Sequence, residues 1–425
     1  PNFLFIYTDD QRWDAMSVVQ REQGKRARFP WLKTPHMDRL ASEGVRFRNA
    51  FVTLSLCSPS RAAFLTGTYN HTNGIITNSA PLPDEAVTHA SLLREAGYRT
   101  AYIGKWHMGK QRGQRPGFDY SASFIGQGIF MDCPFEINGE PTPTQGWVDD
   151  VSTDFAIEWL KKNHEQPFSM VFGFKSPHSP RGGKNLPERL RETYAGEKSR
   201  PAPNMDIRPI FRSPENIWSG LAENSIHLDY MRHITGVDEN LGRLLDTLES
   251  LGVAEDTVVV YSSDNGYYLG EHRSGDKRSL YEESLRIPML VRYPRKFPEG
   301  TTVDQMVLNI DLAPTFLEMA GVKIPGAMQG KSWKALAMGQ SLPNWRTSFL
   351  AEYYKEMGDV PTVVAVRTDR AKFVHYPNHP EWTEVFDLKN DPYEIKNLAE
   401  DQKRTETLRA IFQEQVEATG YSETP

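Results

Sequence analysis

The chain has 425 residues, with 49 basic against 55 acidic side chains and a formal net charge of −6. That mild acidity argues against a nucleic-acid surface, and no apolar run approaches the roughly 18 residues of a membrane span. There are two cysteines, Cys57 and Cys133, so if Cys57 is converted to another group Cys133 has no intrachain partner and no disulfide framework exists, while the length predicts two unequal units.

In chain order, Phe3 to Tyr7 is a compact buried-strand candidate that ends at Asp9-Asp10. Thr34-Pro35 is expected to cap a helix through Met37, Leu40 and Ala41, and Ser91 to Ala96 reads as a helix stopped by Gly97. Arg99 to Ile103 returns as strand and delivers Gly104-Lys105-Trp106-His107. A helix over Asp150 to Lys162 precedes a strand over Phe168 to Phe172, which leads into Lys175-Ser176-Pro177-His178. Residues 180–220, rich in Pro, Arg and Asn, read as a long surface excursion. A helical stretch then runs from about Ala222 to Leu251, and a strand over Thr257 to Ser262 ends at Asp264-Asn265-Gly266. This alternation indicates an α/β fold with a largely parallel sheet over 1–343. From 344 to 425 the texture changes to four short strands and a closing helix, Ala399 to Ala418, read as a small antiparallel sheet with one helix.

Polar clusters at 9–10, 105–107, 178 and 264–265 each follow an apolar strand, and ligand sites of open α/β sheets collect at the carboxyl ends of strands. Cys57-Ser58-Pro59-Ser60-Arg61 opens a helical run, Ala62 to Leu65. Pro59 suits a first helical turn, so residue 57 is expected at a helix N-terminus, where free N–H groups favour an anion. Arg61 follows one turn later on the same face. Taken singly, the cysteine reads as a core thiol and each Asp cluster as a turn.

These motifs resemble those of type I sulfatases, within the alkaline-phosphatase-like superfamily. Cys57-Ser58-Pro59-Ser60-Arg61 resembles the signature whose cysteine is oxidised to formylglycine. Thr8-Asp9-Asp10-Gln11, Gly104 to Gly109, Ser263 to Gly266, Lys277 to Glu282 and Asp311 to Thr315 match further family segments in order. The resemblance spans Asn2 to about Leu398. It implies a large mixed sheet flanked by helices, with a small C-terminal antiparallel sheet.

It further implies a sulfuric ester hydrolase acting on a sulfated poly- or oligosaccharide. The implied metal ligands are Asp9, Asp10, Asp264 and Asn265, an all-oxygen set that selects Ca²⁺ or Mg²⁺, with the family favouring Ca²⁺. The implied catalytic residues are Cys57 as formylglycine, Arg61, Lys105, His107, His178 and Lys277, with His178 as acid and His107 as base. His272, Arg273 and Arg181 are candidate substrate-binding residues, with a solvated loop as the other reading for His272. Arg278, Arg367 and Lys372 are further candidates for neighbouring anionic groups, with Trp147, Trp218 and Trp382 for sugar stacking. A formylglycine-generating maturation enzyme is an implied partner. The opening Pro1-Asn2-Phe3, lacking Met, leads us to expect an upstream secretory segment and a periplasmic or secreted protein. A phosphate-ester or phosphonate hydrolase of the same superfamily, and a non-catalytic carbohydrate-binding relative, remain as rival readings.

Overall fold

The computed structural model describes residues 1–213 and 223–423; Trp218 and part of the expected excursion fall outside them. Strand β1 (Asn2–Thr8) divides its side chains between two cores, Phe3, Phe5 and Tyr7 on one face and Leu4 and Ile6 on the other. Burial on both faces accounts for its unbroken apolar run. The first sheet also draws on β2 (Val45–Phe47), while β3 (Ala50–Phe51) belongs to a second. Strands β4 (Arg99–Lys105), β5 (Tyr120–Phe124), β6 (Phe135–Ile137), β7 (Glu140–Thr142), β8 (Phe168–Gly173) and β9 (Thr257–Ser263) return to the first sheet. They are followed by β10 (Arg286–Ile287), β11 (Leu290–Arg292), β12 (Thr301–Val303) and β13 (Val307–Leu308).

The ten-stranded order is β12-β2-β11-β9-β1-β8-β4-β5-β6-β7, and β10-β3-β13 form a small separate sheet. The central run β9-β1-β8-β4-β5 is parallel, with antiparallel pairing at β11, β6 and β7. The carboxyl ends of β1, β4, β8 and β9 therefore lie side by side, and Thr8 pairs with Ser263. Helices Pro35–Ser42, Val148–Asn163 and Asn224–Ser250 cover the Leu4 face, and helices Cys57–Thr66, His89–Glu95 and Leu312–Ala320 cover the Phe3 face. Thr34 does not cap its helix through its side chain, which bonds Ser17 instead. The free N–H groups of His36 and Met37 donate to the Asp238 carboxylate at 3.1 and 2.8 Å, a cap supplied from another helix.

Strands β14 (Ser348–Tyr353), β15 (Val363–Thr368), β16 (Lys372–His375) and β17 (Glu384–Phe386) form a four-stranded antiparallel sheet, closed by helix Gln402–Thr419. Its apolar face continues the first core. Phe349 meets Phe51 at 5.2 Å, and Glu352 N–H donates to the Thr53 carbonyl at 2.8 Å. Among the described residues no helix is long and apolar enough to cross a membrane.

Candidate active site

Four adjacent strand ends build the site. Beyond β1 stand Asp9 and Asp10, and beyond β9 stand Asp264 and Asn265. The carboxylates of Asp9, Asp10 and Asp264 lie within 4.8 Å of one another and all are buried. Three such charges repel, so each has a cation. Lys105 Nζ contacts Asp9, Lys277 Nζ lies 2.9 Å from Asp10, and Arg61 Nη2 lies 2.8 Å from Asp264. Burial pushes the Asp264 carboxyl up, to about 7, with Asp9 adding to the push and Arg61 opposing it. Asp9 is held well below the usual range despite its burial, chiefly by Lys105.

Asn265 carries the sign of a missing partner. Its Nδ2 donates to Asp10 Oδ1 and the Gly266 carbonyl, both at 2.8 Å, while its buried Oδ1 has no hydrogen-bond partner among the described residues. An orphaned amide oxygen beside three carboxylates is a hard, all-oxygen donor set, which fits a divalent cation of the Ca²⁺ or Mg²⁺ type.

Cys57 begins helix Cys57–Thr66 and is fully buried, with Sγ 3.4 Å from Asp9 Oδ1. That sulfur marks where an oxidised side chain would reach. Burial, reinforced by Asp9, pushes the thiol far above its usual range. Cys133 is also buried and unpaired. Arg61 does not point at residue 57 as a free anion binder. It is spent on Asp264 through Nε and Nη2, on the Lys105 carbonyl at 2.5 Å, and on the Tyr7 ring at 4.9 Å.

His178 Nε2 is 3.9 Å from Asp10, and its Nδ1 lies 2.6 Å from the Ser179 carbonyl. His107 leaves β4 at φ 49°, with Nε2 3.3 Å from Gln127 Nε2. Burial and the nearby Lys105 hold both histidines well below the ordinary imidazole range. Arg181 is buried between Tyr267 and Tyr230, its guanidinium 4.4 and 5.0 Å from the two rings. It lines a cavity of about 600 Å³ with Arg212, Asp229, Tyr268, Arg278 and Asp359. Ser179 and Arg278 on its wall follow His178 and Lys277 in sequence, which sets the cavity beside the acidic cluster.

Other expected binders lie elsewhere. His272 is fully buried, stacked on Tyr281 at 3.9 Å and 3.0 Å from Asn204 Nδ2, so it is an interior residue and not part of the cavity wall. Arg273 is partly exposed, 3.9 Å from Asp206, and off the cavity wall. Lys372 and Arg367 are consumed by buried ion pairs, Lys372 with Glu394 and Glu282 at 2.7 and 2.9 Å, Arg367 with Glu282 at 3.1 Å. Trp147 is core, and Trp382 stacks on His379 at 3.8 Å. Arg278 pairs with Asp276 and Glu356.

Two site residues escaped the sequence reading. Lys175 is buried, donates to the Gln127 carbonyl at 2.7 Å and sits 4.6 Å over Phe130. Burial and Lys105 bring its ammonium down to about 8. It stands two residues beyond β8, so the strand-end rule could have found it. Gln127, on the β5–β6 loop, had no such signal.

Residues 1–322 match the family model described as Sulfatase, and residues 270–420 match that of the N-sulphoglucosamine sulphohydrolase C-terminal region. The chain belongs to the sulfatase family and is a sulfuric ester hydrolase. It is 32% identical over 97% of its length to an N-acetylglucosamine-6-O-sulfatase of Bacteroides thetaiotaomicron, covering 86% of that protein. It is 31% identical over 94% of its length to an ulvan-active sulfatase of Formosa agariphila, covering 77% of it. A solved structure of a protein in complex with its substrate D-glucosamine-2-N,6-O-disulfate superposes with a TM-score of 0.90 at 29% identity, covering 100% of this chain and 99% of that one. At 21% identity and a TM-score of 0.79, a phosphonate monoester hydrolase of Agrobacterium radiobacter shares the fold alone.

Proposed function

We propose that this chain removes sulfate from a sulfated carbohydrate, using formylglycine made from Cys57 by a maturation enzyme and a Ca²⁺ ion, with Mg²⁺ as the other hard candidate. The observation that carries this reading is the position of residue 57, at a helix N-terminus and 3.4 Å from a carboxylate of the acidic cluster. Relatives named for sulfated sugars support the substrate class.

Asp9, Asp10, Asp264 and Asn265 would hold the cation, which when bound supplies Lewis-acid polarisation of the ester oxygens. Hydrated formylglycine supplies a hydroxyl nucleophile toward sulfur. Lys105 and Lys277 bind the remaining anionic oxygens as point charges, and Arg61 keeps Asp264 in place. The Ser179 carbonyl only accepts, so Nδ1 of His178 is the donor there, and the acid role requires a second proton on Nε2, which the negative charge of a bound sulfate ester would favour against the opposing effect of burial and Lys105. From Nε2 that proton passes to the leaving alcohol. His107 would take the proton of the second hydroxyl on residue 57 as the bond from that residue to sulfate breaks and sulfate leaves, and addition of water would then restore the hydrate. Arg181, with no carboxylate within ion-pair distance among the described residues, faces the sugar side of the anion. Action on a polymer suits a periplasmic or secreted enzyme.

Peptide mass spectrometry across residue 57 of the active enzyme tests the nucleophile, since conversion lowers the mass by about 18 Da. Steady-state rates on sulfate and phosphate versions of one sugar test the reaction. An intact thiol in active enzyme, or faster phosphate turnover, would overturn the reading.

A further inference from the structure

We propose that Gln127 is a positioning residue: its side-chain amide, oriented by Lys105, holds His107 in the tautomer whose Nε2 carries a lone pair. The inference rests on the base role assigned to His107 above and supplies the chemistry that role needs.

Backbone geometry places Gln127. It stands between Gly126 and Gly128, which adopt φ of 57° and 59°, in the left-handed region that side chains resist. A Cβ on Gly128 would fall 2.4 Å from the Phe124 ring, so that position is closed to larger residues. The resulting turn swings Gln127 over the end of β4. There its Oε1 accepts from Lys105 Nζ at 2.5 Å, its Nε2 lies 3.3 Å from His107 Nε2, and its main-chain carbonyl accepts from Lys175.

Donor logic then fixes the tautomer. A lysine ammonium has only protons to give, so the amide oxygen must face Lys105. The reversed amide would set donor against donor. The NH₂ group therefore faces His107, and only an unprotonated Nε2 can accept from it. The proton of neutral His107 is left on Nδ1, which has no hydrogen-bond partner among the described residues. The charged and titratable groups around His107 are Lys105, Arg61, Asp9 and His178; burial and the cations together keep the ring neutral. Nε2 is thus held as an acceptor before substrate arrives. Gln127 remains solvent-exposed on its outer side, so an incoming group can displace its weak 3.3 Å contact.

The test uses full-length enzyme with residue 57 converted, Ca²⁺ present, and 4-nitrophenyl sulfate as probe. Gln127→Met keeps the bulk but cannot donate. It should lower kcat about tenfold, the value of one hydrogen bond, while KM changes far less. Gln127→Glu should favour charged His107 and move the acidic limb of the kcat profile upward by about one pH unit. A merely structural residue would leave that limb in place. Nitrogen-15 NMR of wild-type enzyme should show a pyridine-type Nε2 and a pyrrole-type Nδ1 on His107. A pyrrole-type Nε2, or an unchanged kcat and pH limb in both variants, would overturn the proposal. If the variants do not fold, the wild-type spectrum decides it alone. A wild type without sulfatase turnover would sink the hydrolase reading, and the spectrum would still decide the tautomer.

Discussion

Arg61→Met is the sharpest probe of the acidic cluster. Arg61 and Asp264 are both almost inaccessible, at 1% and 0% side-chain exposure, and two guanidinium nitrogens share one carboxylate oxygen. Methionine fills much of the same volume but abandons a buried charge, a change that costs about 3–5 kcal/mol. With an unfolding entropy of about 2.1 cal/mol/K per residue, a 425-residue chain shifts by about 1 °C for each kcal/mol. The expected loss in chelator is therefore about 3–6 °C. A bound divalent cation would neutralise Asp264 from its other side, so in Ca²⁺ the loss should fall to about half or less. Differential scanning calorimetry of both proteins, in chelator and in Ca²⁺, reads this directly. Equal losses in the two buffers would separate Asp264 from the cation. A shift below 1 °C in chelator would refute the argument that the pair stabilises this site.

Three further outcomes follow from the same geometry. Cys57→Ala should abolish turnover of 4-nitrophenyl sulfate while leaving Ca²⁺-dependent thermal stability in place, and retained turnover would remove residue 57 from the chemistry. His178→Ala should slow alkyl sulfates by about 10²- to 10⁴-fold and activated aryl sulfates far less, because only the poor leaving group needs the proton; parallel slowing would take His178 out of the acid role. Burial alone would raise the Glu271 carboxyl, but Arg12 and Arg28 outweigh it and hold it far below the ordinary range. A depressed acid contributes stability above its unfolded value of about 4.3 and loses it as pH falls toward the folded one. The melting-temperature gap between wild type and Glu271→Gln should thus be full near pH 6 and narrow below about pH 4; a gap independent of pH would refute it.

Much of the site was legible because each cluster follows an apolar strand, and strands β1, β4, β8 and β9 turn out to be neighbours. Adjacency in the sheet converts separations of some 250 residues into contact. His272 was misplaced because nearness to Asn265 along the chain says nothing of ring direction. Glu271 is anchored to Arg12 and Arg28, and with φ of 49° at His272 the imidazole turns inward onto Tyr281. Arg367 and Lys372 were candidates for neighbouring anionic groups, yet Glu282 and Glu394, which neutralise them, come from distant parts of the chain that no local pattern links to them. Gln127 escaped because its position depends on two backbone torsions and not on any apolar pattern.

The unbroken apolar seam between β3 and β14 has a practical corollary. Trimming the chain after the ten-stranded sheet would strip Phe51 of Phe349 and leave a wide greasy face open to water. The last eighty or so residues are accordingly no detachable appendage. Heat should melt both sheets in one event, and a shortened fragment should clump instead of yielding a smaller working enzyme.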